Sequence, residues 1–294
     1  MSRSVELQRA RPFLGTFVEI HARAESEAQV RAGLTSAFAA IAQVQWLMSF
    51  HEATSDLSRL NRDAFARPVQ VHPWTWAVLA RAEEFSVKSA GVFDVTIAPL
   101  LSGWGFLPKG YAADAEANFR DVILGPDDTI RFARPLSIDL GGIAKGFAVD
   151  RAVQALEAAG VPCGMVNAGG DVRAFGDEPQ QVYLRDPGRP GAPAGVVQLL
   201  NRALATSGVY FSRKLHRGAL VSPLLHGAIR EPLVRNISAA VSAPDCLTAD
   251  ALTKIVLAHG QESVALLRGY EADAVILERG QTPRVLTDHA PEFR

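Results

Sequence analysis

Ser137-Ile138-Asp139-Leu140-Gly141-Gly142-Ile143-Ala144-Lys145-Gly146 runs from a strand-like stretch through paired glycines into a helix carrying one lysine. Paired glycines let backbone amides approach an anion closely, and a helix beginning near Ile143 adds its positive end. Asp139 and Lys145 stand on either side of the turn, which makes the run a candidate phosphate cradle. The same strand, glycine turn and helix is also ordinary punctuation in any α/β protein, and the run taken alone serves both readings. It has neither G-x-G-x-x-G nor a P-loop lysine followed by Ser or Thr, so no Rossmann or P-loop assignment is available.

Outward from this run the periodicities alternate between strand and helix. Phe13 to Ala22 alternates like a strand, and Glu25 to Met48 carries Val30, Leu34, Phe38, Ile41, Val44 and Leu47 at helical steps, a face suited to packing on a sheet. A polar loop from His51 to Asp56 leads to a short helix ending near Asn61, and Pro73 opens another that Gly91 closes. The segment Val92 to Phe106 has no clean period and is expected as a shaped loop. Strands are expected at Phe119–Leu124, Thr129–Phe132 and Leu136–Leu140, then a helix from Ile143 to Ala159 ended by Gly160. Short strands follow near Met165, Val172, Val182 and Val197, with Asp186 to Gly195 as a surface hairpin loop rich in proline and glycine. The last third adds strands near Leu220 and Ile237, helices at Leu247–His259 and Gln261–Leu267, and a final strand at Ala272–Leu277.

Composition bounds the function class. The 294 residues are 48% hydrophobic and 21% charged, ordinary for a soluble globular enzyme of one large domain or two packed lobes. A formal charge of −1 and the lack of a long basic run argue against a nucleic-acid partner. Cys163 and Cys246 lie far apart, outside any C-x-x-C spacing, and suggest neither a zinc site nor a disulfide framework. No stretch is long and apolar enough for a membrane span, and the first twenty or so residues lack a signal-peptide core. A cytoplasmic protein is expected, or a periplasmic one if a leader has been removed.

Seven islands, in order, resemble the FAD:protein FMN transferases, the ApbE family. They are Leu14-Gly15-Thr16; Met48-Ser49-Phe50-His51 with Ser55 to Asn61; Gly91-Val92-Phe93-Asp94-Val95-Thr96-Ile97-Ala98-Pro99-Leu100 through Trp104-Gly105-Phe106; the opening run; Asn167-Ala168-Gly169-Gly170-Asp171; Thr206-Ser207-Gly208; and Ala249-Asp250-Ala251-Leu252. The resemblance implies a mixed α/β (α+β) fold of the ApbE type, two intimately packed subdomains with FAD in a cleft between them. It is expected to occupy residues 13–294 as a single catalytic domain after an N-terminal extension of residues 1–12. It also implies transfer of the FMN moiety of FAD, aided by Mg²⁺, to a threonine or serine hydroxyl of an acceptor flavoprotein, with AMP released.

By resemblance, Asp250 and Lys145 are the catalytic positions, and Gly142 (through its carbonyl), Asp250 and Thr253 would hold the metal. Leu14, His51, Val92, Phe93, Asp94, Asp139, Lys145 and Val221 would contact FAD. Phosphoryl transfer needs mostly positioning and charge neutralisation, which these types supply. Each has a plainer reading too: Asp250 as an acid favoured early in its helix, Asp139 as a turn cap, Phe93 and Trp104 as core, His51 as a surface histidine. Thr206-Ser207-Gly208 and Asn167 to Asp171 read as tight supporting turns. Three departures from the family pattern stand out. Lys254 takes the place of a metal-binding threonine, so that Thr253, at i+3, becomes the substitute; Ala219 replaces a histidine, and Ser222 an aspartate. The general base is unassigned, with Asp250 and His226 as candidates, and binding of FAD without transfer, or its hydrolysis to FMN and AMP, remains an alternative activity.

Overall fold

Val18, Ile20, Ala22 and Ala24 alternate onto one buried face of the strand Thr16–Ala24, as a half-buried strand requires. That strand is second in an eight-stranded, wholly antiparallel sheet ordered Val5–Phe13, Thr16–Ala24, Cys163–Ala168, Asp171–Phe175, Ala203–Gly208, Ile237–Ala243, Asp273–Glu278 and Arg284–Val285. A computed structural model describes residues 4–287, and the chain divides into two compact units. The first holds residues 4–45, 145–210 and 235–287, including this sheet; the second holds 46–144 and 211–234.

The expected long helix forms over Glu27–Met48, and its apolar stripe from Val30 to Leu47 is buried. Gly33 is where it meets its neighbour, since a Cβ there would come within 2.8 Å of Val161. The helix from the opening run spans Ala144–Ala158, and Gly160, at φ +78°, ends it in the left-handed conformation that favours glycine. The helix Cys246–His259, capped by the Asp245 side chain on the Thr248 N–H, packs on the strands Ala203–Gly208 and Ile237–Ala243.

Several expectations change. Phe13 ends one strand and Leu14-Gly15 turns into the next, so the alternation expected from Phe13 spans a hairpin. The strand Val5–Phe13, which overlaps the expected extension of residues 1–12, lies at one edge of the sheet; the ends of both expected spans, residues 1–3 and 288–294, lie outside the described residues. Thr206-Ser207-Gly208 is strand and not turn, because the sheet pairs it with Ala240, Ala239 and Ser238. The loop expected from Asp186 shrinks to a tight turn in which Asp186 accepts the Gly188 N–H at 2.7 Å, and strand resumes at Arg189. Pro193 is tolerated because this two-stranded hairpin does not require its missing donor.

The second unit carries the helices Asp56–Asp63, Pro73–Lys88 and Ala98–Gly103 with a small sheet ordered Val69–Gln70, Thr129–Phe132, Val122–Leu124. The segment expected as a shaped loop contains a 3-10 turn, Val95–Ile97, capped by the Asp94 side chain on the Thr96 N–H, and after it the helix Ala98–Gly103. Phe119–Asp121 is likewise a 3-10 turn before a shorter strand. Leu136–Leu140 joins no ladder. The Asn61 side chain instead satisfies both backbone groups of Ile138, at 2.7 and 3.0 Å, and the Asp139 N–H donates to the Val95 carbonyl at 2.8 Å. A side-chain amide has taken the role of a neighbouring strand. Among the described residues no helix is long and apolar enough to cross a membrane.

Candidate active site

Gly146 decides how the two central helices of the first unit meet. A Cβ there would lie 2.6 Å from the carbonyl carbon of Cys246 and 2.8 Å from the Asp250 Cβ, so only glycine lets the helices approach this closely. Each helix then caps the other. The Gly146 N–H donates to Asp250 Oδ2 at 3.0 Å, and the N–H groups of Cys246 and Leu247 donate to Asp150 at 2.9 and 2.8 Å. Both carboxylates thereby meet amide donors that an isolated helix start leaves unpaired.

Around Asp250 the approach assembles four charged side chains. Lys145 pairs with Asp171 and lies 3.9 Å from Asp250 Oδ1; Lys254, one turn on from Asp250, pairs with the same Oδ1 and donates to the Asp250 carbonyl at 2.9 Å. Asp171 and Asp250 are fully enclosed, Lys254 is 13% exposed and Lys145 is 32% exposed, which makes Lys145 the more open of the two cations. Burial opposes charge on Lys145, but the carboxylates of Asp171 and Asp250 outweigh it and hold its pKa above the ordinary range. Burial and the Asp250 charge push Asp171 up, while Lys145 and Lys254 oppose them. Cys246, buried beside Asp150, Asp171 and Asp250, is held as a thiol.

The divalent cation implied by resemblance needs open, hard oxygen donors. Asp250 presents Oδ1 to an ammonium and Oδ2 to an amide N–H. The Thr253 hydroxyl donates to the Asp250 carbonyl at 2.7 Å and lies 2.8 Å from Ser207 Oγ. As arranged, this donor set does not fit Mg²⁺. Nor is there, among the described residues, a group of three or more His, Cys, Asp or Glu placed to hold a metal ion.

The other expected positions fall on two kinds of ground. Leu14 forms the hairpin turn with Gly15, at φ +56°, and its N–H donates to the Gln45 side chain at 2.6 Å. Thr16 beside it packs on Gly169, in the turn that leads into Asp171. The turn expected at Asn167 to Asp171 is therefore present, and its glycines at φ +66° and +105° require it. In the second unit Gly142 is half-buried in the turn before the helix, and the Gly141 N–H donates to Asp139 at 3.1 Å. Burial raises the Asp139 pKa against that amide and the charge of His51. His51 itself is exposed, and Val221 is buried at the end of the hairpin Lys214–His216, Ala219–Val221.

Val92, Phe93 and Asp94 are buried within the second unit. Phe93 packs edge-on against Phe85, with ring centres 6.0 Å apart. Asp94 accepts from the Thr96 N–H and hydroxyl, both at 2.7 Å, and from Arg230 at 3.2 Å. Ser222, where the family pattern has aspartate, is fully buried and accepts the Leu224 N–H at 3.0 Å, while Ala219 is exposed. Sequence reasoning missed Asp150, Asp171, Ser207 and Arg230 as site-shaping side chains. Only Asp171 and Ser207 carried a signal, as members of islands read as turns.

The ApbE family model matches residues 14–276. The FAD:protein FMN transferase of Treponema pallidum is 29% identical over 92% of this chain and 83% of its own length. That of Haemophilus influenzae is 30% identical over 73% of this chain and 69% of its own. The crystal structure of the ApbE protein from Thermotoga maritima superposes with a TM-score of 0.86, covering 99% of this chain and 100% of that one at 25% identity.

Proposed function

The chain belongs to the ApbE family, and on that premise we propose that it moves the FMN half of FAD onto a threonine or serine hydroxyl of an acceptor flavoprotein, with AMP leaving. The acceptor oxygen bonds to the FMN-side phosphorus, the bond from that phosphorus to the bridging oxygen breaks, and AMP departs with that oxygen. The hydroxyl proton is given up to the leaving phosphate or to solvent. What carries the reading is the match along residues 14–276 together with relatives that bear this activity in their names.

The first unit supports it with chemistry. Lys145 is a partly exposed ammonium fixed by Asp171 and Asp250, preorganised to meet charge on a diphosphate oxygen. Asp250 is assigned to positioning the two lysines, and Leu14 to an apolar contact. Within the second unit, the positions proposed for FAD recognition are Asp139, His51, Val92, Phe93, Asp94 and Val221. The donors at Asp250 and Thr253 are already engaged and leave Mg²⁺ no open oxygen there.

Incubating the protein with FAD and a threonine-containing acceptor, with and without Mg²⁺, tests the proposal. Covalent flavin fluorescence on the acceptor and stoichiometric AMP are expected. Free FMN and AMP with an unlabelled acceptor would mean hydrolysis instead, and unchanged FAD would overturn both catalytic readings.

A further inference from the structure

We propose that Lys254 is this chain's resident cation: its ammonium supplies at Asp250 the positive charge that a divalent ion would bring, and the site engages a diphosphate through Lys145 and Lys254 with no metal on that carboxylate. The inference rests on the FAD reading above and concerns the same site.

The geometry points to it in three ways. The Lys254 Nζ contacts Asp250 Oδ1, the carboxylate oxygen that would otherwise be offered to a metal, and is held there by a second bond to the Asp250 carbonyl. Oδ2 is fixed on the Gly146 N–H by the glycine-dependent approach of the helices, so it cannot turn toward an ion without losing that bond. The Thr253 hydroxyl gives its proton to the Asp250 carbonyl and faces Ser207 on its other side.

Charge and donor count agree. Two lysines face two carboxyl groups in the cluster, and a dication would enter beside an ammonium it repels. An ammonium has three N–H donors, and Lys254 directs two at Asp250, leaving one for a phosphate oxygen. Lys254 is also well anchored: a lysine four residues after an aspartate is the favourable order on a helix, and an ammonium this enclosed needs such a partner.

FAD binding, followed by calorimetry in EDTA and in millimolar Mg²⁺, tests this on the unaltered protein, with Mn²⁺ as a paramagnetic stand-in for bound metal. The expected affinity changes by less than about twofold between the two conditions, and the Mn²⁺ signal remains that of the free ion. In Lys254→Thr, FAD is expected to bind at least about tenfold more weakly in EDTA and to regain affinity with Mg²⁺, while Mn²⁺ becomes bound. Wild-type binding that strengthens about tenfold or more with Mg²⁺, or wild-type Mn²⁺ capture, would overturn the role of Lys254 and leave the FAD reading standing. Failure to bind FAD in any condition would sink the FAD reading, and the Mn²⁺ comparison of the two proteins would still decide on Lys254. Should Lys254→Thr fail to fold, the wild-type arms alone suffice.

Discussion

Asp150 and Asp250 do the same structural work from opposite sides of one helix pair, and they differ in what is left over. Each is buried, and each accepts amide hydrogens from the start of the other's helix. Asp150 is used up: one oxygen takes the Cys246 N–H and Arg173, the other the Leu247 N–H. Asp250 spends one oxygen on Gly146 and turns the other toward two ammoniums, one of them partly exposed. A buried acid beside a cation is therefore not by itself a site. Asp94, saturated by Thr96 and Arg230, makes the same point in the second unit. What marks the Asp250 cluster is cationic donor capacity that the fold does not consume.

The comparison breaks most completely at Gly146. In Gly146→Ala the new methyl collides with backbone at Cys246, which cannot yield as a side-chain tip would. Both caps open at once. A loss of about 3 kcal/mol or more is expected, read as a large drop in the thermal midpoint. A midpoint within a degree or so of wild type would show that the helices do not need this approach.

Separating the two acids comes next. Asp150→Ala strands two amide donors and Arg173 and is expected to cost about 2–3 kcal/mol of stability, while leaving FMN transfer by the folded fraction nearly unchanged. Asp250→Asn keeps a group of the same shape and is expected to cost less stability but to slow transfer about a hundredfold. Denaturant melts and single-turnover labelling of the acceptor read the two effects. Equal loss of transfer in both variants would erase the distinction.

The pH response of Asp150 sharpens its structural role. Burial pushes its carboxyl up to about 6, against Arg173 and the two N–H groups. The folded state therefore binds more protons than the unfolded state between pH about 4 and about 6, and stability from this group falls as pH rises through that window. The burden at neutral pH is on the order of 3 kcal/mol. Comparing Asp150→Asn with wild type should show the variant's relative stability improving from pH 4 to pH 7. A constant gap would mean that burial does not raise the Asp150 pKa.

Much of this architecture was legible in the sequence. The helices over Glu27–Met48, Ala144–Ala158 and Cys246–His259 follow from periodicity, and Gly160 from its position as a stop. The ordered islands led to the ApbE family and to Asp250 and Lys145. What was illegible is what depends on contacts between distant segments. Leu136–Leu140 looks like a strand because its backbone is extended, yet its partner is a side chain, Asn61, 77 positions from Ile138. Asn61→Ala would leave both Ile138 groups unpaired, and about 2 kcal/mol should be lost. The reciprocal caps join residues about a hundred positions apart, and no local period records such a pair. Gly146 only closes the run whose Gly141-Gly142 turn and Lys145 read as an anion cradle, and nothing local marks it as the point of helix approach that its contacts show.

Leu14 offers the finest division between consumed and left-over groups, because its backbone and side chain fall on different sides of it. Its N–H is spent on Gln45, and its φ of +56° is one that leucine tolerates poorly. Leu14→Gly relieves that strain but loosens the unfolded chain and removes a half-buried side chain, so the stability terms nearly cancel, to within about 0.5 kcal/mol. If the side chain exists for the flavin, FAD affinity should fall about threefold to tenfold while the thermal midpoint stays put. Unchanged affinity would assign Leu14 wholly to the turn. A stabilised variant with weakened FAD binding would show the strain being retained for the ligand, since only a use for the side chain keeps leucine where glycine fits better.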